Sequence, residues 1–101
     1  MKGGNMPKKE SQFQSELIQE INKNVSGCMI FKMDQKQGIP DLLILHNDRW
    51  AALECKRHDH ASKQPNQEYY VSKMNDMSFS KFITPENKDE VLNELFRTLK
   101  S

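Results

Sequence analysis

Hydrophobic positions along the chain follow two different periods. From Glu10 to Asn24, Phe13, Leu17 and Ile21 recur every four residues with Ile18 beside them, which predicts a helix with one apolar face. Glu10 at its start and Lys23 near its end suit the helix dipole, and Ser26-Gly27 closes it. Residues 28–33 (CMIFKM) read as a strand, and residues 34–40 as a polar loop with Gly38 and Pro40 as breakers. Residues 41–46 (DLLILH) and 50–56 (WAALECK) are two more strands, joined by the turn residues Asn47, Asp48 and Arg49. Leu42 to Leu45 run without a polar interruption, the pattern of a buried central strand. Residues 57–66 form a polar loop, and residues 67–76 a helix that starts after Pro65-Asn66. A strand over 78–83 shows no single buried face and is stopped by Pro85. Residues 86–100 place Val91, Leu92, Leu95, Phe96 and Leu99 at helical spacing, a terminal amphipathic helix. The predicted order is α-β-β-β-α-β-α, an α/β fold with a central mixed sheet flanked by helices. Met29, Met33, Met74 and Met77 are expected to fill gaps in its core.

Composition narrows this picture. The 101 residues suffice for one domain, expected over 10–101 behind a loose basic arm at 1–9 (MKGGNMPKK). Lys and Arg number 15 and Asp and Glu 14, a net charge of +1 that argues against a general polyanion coat. It leaves room for a local basic groove. No apolar run approaches the roughly 18 residues of a membrane helix, so no membrane partner is expected. No apolar segment of a secretory signal follows the N-terminal lysines. Cys28 and Cys55 are too few for a disulfide framework. A reduced, cytoplasmic protein is the expectation.

The segment from Gly38 to Lys56 carries the chemistry. With Asn47-Asp48 as a two-residue hairpin turn, His46 faces Arg49, Leu45 faces Trp50, Leu43 faces Ala52, and Asp41 faces Glu54. Opposed side chains share one face of a sheet with their Cβ atoms roughly 5 Å apart. Lys56 lies two residues beyond Glu54 and points the same way. Like charges set opposite each other destabilise a sheet, and a divalent cation reverses that penalty. Mg²⁺ takes oxygen ligands at about 2.1 Å and keeps several waters. Asp41, Glu54 and a backbone carbonyl, that of Cys55, suit it. A bound metal lowers the pKa of water and stabilises charge on a phosphate, with Lys56 orienting the attacking water or the phosphate oxygens. A one-residue bulge would separate the two carboxylates onto opposite faces.

Pro40-Asp41 followed by Glu54-Cys55-Lys56 resembles the signature of the PD-(D/E)XK nucleases. Within that superfamily the chain looks most like the small virus-type replication–repair (VRR-NUC) group. The resemblance is carried by Glu10-x-x-Phe13-Gln14, Gly38-Ile39-Pro40-Asp41-Leu42, Glu54-Cys55-Lys56, and Ser62 with Gln67-x-Tyr69-Tyr70, over about residues 10–83. It implies a restriction-endonuclease-like core and a Mg²⁺- or Mn²⁺-dependent endonuclease acting on DNA. Asp41 and Glu54 match the family's metal ligands and Lys56 its catalytic lysine. Glu10, preferred on the helical wheel over Glu16 and Glu20, matches a first-helix glutamate that joins the metal site. Gln67 matches a glutamine that orients the lysine or a phosphate, and Gln14 is expected to assist. The resemblance also implies a homodimer with one active site per strand, junction-like substrates, and a bacterial or phage-infected cell as the setting.

Blander readings compete with these. A solvated surface hairpin would explain Asp41, Glu54 and Lys56, but its strands are too apolar for a surface. Glu10 also reads as a charge favouring the helix dipole, and Gln67 as a helix-start residue. Cys55, His58 and His60, with Cys28, give a zinc alternative that lacks a convincing fourth ligand. Lys8, Lys9, Lys32, Lys56, Arg57 and Lys63 are candidates for a basic rim around the site. Two further alternatives are a nucleic-acid-binding module without catalysis, and an interaction protein docking through the helix from Val91 to Leu99.

Overall fold

The computed structural model describes residues 10–33 and 36–101. The proposed arm at 1–9, with Lys8 and Lys9, lies outside the described residues. The elements are α1 (Glu10–Asn24), β1 (Met29–Lys32), β2 (Leu42–His46), β3 (Arg49–Cys55), α2 (Pro65–Met77), β4 (Ser80–Ile83) and α3 (Lys88–Lys100). They form an α/β structure with one four-stranded mixed sheet in the order β1-β2-β3-β4. β1, β2 and β3 are an antiparallel meander, and β4 runs parallel to β3. A parallel neighbour needs a crossover, and α2 supplies it.

The hairpin register is the one expected from the turn: Leu45 pairs with Trp50, Leu43 with Ala52, and His46 with Arg49. Asn47 takes the tight corner in the left-handed region at φ 58°, a conformation Asn tolerates better than most residues. Alternation then divides the sheet into two faces. Leu42, Ile44, Leu53, Cys55 and Ile83 face α1 and α3, where Phe13, Leu17, Ile21, Val25, Leu92, Leu95 and Leu99 complete the main core. Leu43, Leu45, Trp50, Ala52, Glu54 and Phe82 belong to the second face. There α2 lies over β3 and β4.

Several expectations need correction. α2 begins at Pro65, earlier than residue 67, because proline fits the first helical position, where no N–H is needed. Strand β4 starts only at Ser80, and Phe79 and Ile83 are both buried against the α1/α3 core. β2 is central but unevenly buried: Leu42 and Ile44 are fully enclosed, Leu43 and Leu45 only partly. Met29 and Met77 are not core; they are 56% and 67% exposed. On α3, Val91, Leu92, Leu95 and Leu99 are buried in the chain's own core, and Phe96 is partly buried against it.

Gly38 holds the loop before β2 against α2. Its φ is +96°, and a Cβ there would lie 2.6 Å from Cβ of Asn66 and 3.3 Å from the Tyr70 ring. Gly27, at φ +85°, has open space around it. Gly38→Ala therefore combines backbone strain with overlap and is expected to destabilise by about 2–4 kcal/mol. Gly27→Ala meets the backbone term alone, about 1 kcal/mol. Urea denaturation of both variants checks the difference.

Candidate active site

The chain reaches the site through Pro40, which is buried, and Asp41, whose carbonyl accepts the Met33 N–H at 2.7 Å. This bond extends the β1–β2 ladder by one step and fixes where the aspartate stands. Asp41 Oδ2 then accepts the backbone N–H of Cys55 at 2.9 Å, tying the start of β2 to the end of β3. Continuing the observed register beyond Leu43–Ala52 sets Asp41 opposite Glu54 on the second face. The β3–β4 pairing sets Phe82 on the other side of Glu54.

Glu54 and Lys56 are both buried, at 3% and 8% exposure, which is rare for these residue types unless they are paired. Gln67 pairs them. Its Oε1 accepts from Lys56 Nζ at 2.7 Å, and its Nε2 donates to Glu54 Oε2 at 2.9 Å. Lys56 Nζ also lies 3.9 Å from Glu54 Oε2. The amide has one sensible orientation, because Gln67 Oε1 accepts the Gln64 N–H at 3.0 Å as well. Two donors converge on that oxygen, so the nitrogen must face the glutamate. Gln67 is the third residue of α2, and this bond to Gln64 is one half of a capping box. The helix start and the Glu54–Lys56 pair are thus built around one side chain.

Glu54 Oε1 is buried and has no hydrogen-bond partner among the described residues. Such an acceptor is expensive in a folded protein and invites a partner. Burial first, and then the neighbouring Asp41 charge, push the Glu54 carboxyl up to about 8, against the opposing pull of Lys56. Asp41 is also raised, chiefly by burial, with the Cys55 N–H pulling the other way and Glu10 adding to the rise. Neighbouring carboxylates with raised affinity for protons mark a place that favours positive charge.

Glu10 is half-buried at the first turn of α1, and its charge acts on both Asp41 and Glu54. Glu16 is exposed, and its charge is not among those acting on the pair. Among the described residues no three His, Cys, Asp or Glu side chains gather into a ready metal cage. A hard cation here would draw on two carboxylates, main-chain carbonyl oxygen and water, the manner in which Mg²⁺ is usually held. The donor set fits such an ion: all oxygen, with one buried carboxylate oxygen unpartnered. Zinc fits poorly, since the Cys55 side chain is buried on the opposite face, in the α1/α3 core, away from the exposed His58 and His60.

The other candidates separate. Lys63 Nζ lies over the Phe82 ring, 4.6 Å from its centre, and so stands beside Glu54's cross-strand neighbour. Arg57 is exposed directly after Lys56. Gln14 is half-buried on α1, and no hydrogen bond among the described residues joins it to the cluster. Lys32 belongs to the opposite face of β1 by alternation. Tyr69 is 60% exposed, while Tyr70 is half-buried near Gly38.

Two features escaped the sequence reading. Gln64 was legible, because Gln-Pro-x-Gln is a helix-start pattern. The second had no local signal: Thr84 Oγ1 donates to Asp59 Oδ1 at 2.7 Å, and the Asp59 N–H donates to Glu86 Oε1 at 3.2 Å. These bonds fasten the loop after Lys56 to the end of β4. Compared with known proteins, the chain matches no family model, no curated protein and no solved structure.

Proposed function

We propose that this protein is a divalent-metal-dependent endonuclease that hydrolyses phosphodiester bonds of DNA on a restriction-endonuclease-like core. The observation that carries the reading is the buried Glu54–Gln67–Lys56 chain beside Asp41, with Glu54 Oε1 unpartnered among the described residues. The sheet order, the antiparallel meander and the parallel β4 agree with the resemblance to PD-(D/E)XK nucleases of the VRR-NUC type. In this proposal Asp41, Glu54 and the Cys55 carbonyl would hold Mg²⁺ or Mn²⁺, and Glu10 would add its negative charge to the site. The bound ion supplies Lewis-acid stabilisation of the phosphate and a more acidic water. Lys56, held by Gln67, donates a hydrogen bond to the attacking water or a non-bridging phosphate oxygen. Water adds to phosphorus and gives up one proton to solvent, the bond to the leaving oxygen breaks, and that oxygen takes up a proton from solvent. Lys63 and Arg57 flank the site as phosphate contacts. Two copies, one centre for each strand, and branched or nicked DNA complete the proposal.

A cleavage panel of linear, nicked, flap, fork and four-way DNA tests it, run with Mg²⁺, with Mn²⁺ and with EDTA. Metal-dependent, EDTA-sensitive cutting of at least one substrate is expected. DNA binding without cutting in either metal would favour a catalytically silent binding module. Within an active panel, Lys56→Ala is expected to lower the rate by about 10²–10³-fold with little change in the Mg²⁺ concentration for half activity. Gln67→Ala should act through the lysine and produce a smaller loss, of about 10–100-fold. Glu10→Ala should reduce activity less than either carboxylate of the Asp41–Glu54 pair. Melting temperatures of the variants separate these effects from misfolding.

A further inference from the structure

Among the described residues, the second face of the sheet is only half covered. α2 lies over β3 and β4, and no described helix lies on the half formed by β1 and β2. Met29 and Phe31 stand there at 56% and 42% exposure, beside the partly exposed Leu43, Leu45 and Trp50. Register joins them into rows, Met29–Leu45–Trp50 and Phe31–Leu43–Ala52. Met77, 67% exposed, borders the same area. Ser78 ties the end of α2 to the Trp50 carbonyl at 2.6 Å. Met77 and Tyr70 fall on the helix flank opposite Asn75, which reaches Ser80 of β4.

The sheet half of this surface is formed by apolar side chains, and Lys73 stands beside Tyr70 and Met77 on the flank of α2. Lys32 and Arg49 project to the other face, and the next row along the sheet is the Asp41–Glu54 pair of the candidate site. A nucleic-acid surface needs cations to neutralise phosphates, and the described residues of this half-sheet supply none. The exposed apolar area is on the order of 500 Å², at the upper end of what a monomer's largest patch shows. A stable interface takes about 800 Å² from each partner, with an apolar centre inside a polar rim. The patch is the right size for such a centre.

We propose that a second copy of this chain covers it, the two bare half-sheets stacking face to face about a two-fold axis. Sheets stack at about 10 Å, so the partner's β1 and β2 enter the layer that α2 already occupies. The flank of α2 bearing Tyr70 and Met77 then meets the partner's β1. That strand has an open edge: Met33 and Asp41 form a bonded pair, so by alternation Ile30 and Lys32 turn their backbone N–H and C=O groups outward. Covering an edge strand with a helix is a common protection against unwanted pairing. One isologous contact accounts for the bare face, the open edge and the exposed Met77. It deepens the proposed function by assigning the dimer surface, and its evidence does not depend on catalysis.

Sedimentation equilibrium of the full chain tests it. The expected wild-type mass is twice 11.8 kDa at about 10 μM, the range of a modest apolar interface. Phe31→Glu and Met77→Glu, on different elements, should each return the 11.8 kDa monomer at that concentration. Tyr69→Glu, on the outward side of α2, should leave the dimer intact. Unchanged circular dichroism identifies the two monomeric variants as folded. A monomeric wild type at about 100 μM overturns the proposal, as does a dimer that survives both variants. Cleavage by a wild-type monomer would reject this surface and keep the nuclease; a dimer inert in every cleavage assay would do the reverse.

Discussion

Replacing Asp41 or Glu54 by alanine should lower Mg²⁺-dependent DNA cleavage by on the order of 10³-fold or more, while DNA binding in the absence of metal remains close to wild type. The reason is geometric. Asp41 is held by the Cys55 N–H and Glu54 by Gln67, so both carboxylates occupy fixed positions at one end of the β2–β3 hairpin. Among the described residues, the further acid that acts on the pair is Glu10, through its charge. The two variants differ in their structural consequences. Asp41→Ala leaves the Cys55 N–H without its acceptor, a loss of about 1–2 kcal/mol. Glu54→Ala frees the Gln67 amide and removes the carboxylate nearest Lys56, leaving a buried ammonium with Gln67 as its remaining partner. Asp41→Asn and Glu54→Gln retain size and hydrogen bonding, so equal inactivity in these variants would place the defect in lost charge. Cleavage by Asp41→Asn at near wild-type rate would remove Asp41 from the site.

The metal-free protein should lose stability as the pH rises from about 4.5 to about 8, and Glu54→Gln should abolish most of that loss. The sign follows from proton counts. In the unfolded chain the Glu54 carboxyl titrates near 4.5, whereas in the fold burial and the Asp41 charge move it to about 8. Between those values the native state keeps a proton that the unfolded state has released, so a rise in pH favours unfolding. Below 4.5 both states are protonated, and above about 8 both are ionised and the penalty is complete. Asp41 is shifted in the same direction and adds to the trend. The Glu54→Gln variant should therefore melt higher than wild type at pH 8.5, by on the order of 10 °C, and much like it at pH 4. Mg²⁺ should raise the wild-type melting temperature at pH 8.5 and leave Glu54→Gln nearly unmoved, because the ion replaces the proton as the carboxylate's partner. A wild-type melting curve independent of both pH and Mg²⁺ would contradict this account of the pair.

The elements themselves are largely legible along the chain. The four-residue recurrence of Phe13, Leu17 and Ile21 has one physical solution, a helix with one face on a core, and α1 spans the residues that this pattern marks. Asn47-Asp48 between two apolar runs sets a two-residue turn, and the turn sets the register. That register brings the positions of Asp41 and Glu54 to one face through local arithmetic alone. Alternation likewise assigns the Cys55 side chain to the opposite side. These features depend on neighbours within a few residues, whose backbone geometry repeats from protein to protein.

Other features arise from which surfaces meet. Gln67 bridges Glu54 and Lys56 because α2 crosses back over β3, and no spacing in the chain encodes the resulting contact. The buried, unpartnered Oε1 of Glu54 and its raised pKa are consequences of that covering layer. The methionines show the same division. Met29 and Met77 have core-like chemistry, yet α2 is narrower than the sheet and lies to one side, leaving them in solvent. Phe79 and Ile83 share one side of β4 by alternation, and the packing of β4 beside β3 beneath α3 decides that this side is buried. Periodicity reports which side of an element is apolar. Whether anything covers that side depends on the placement of distant segments, and so on the total balance of burial and chain entropy over the whole fold.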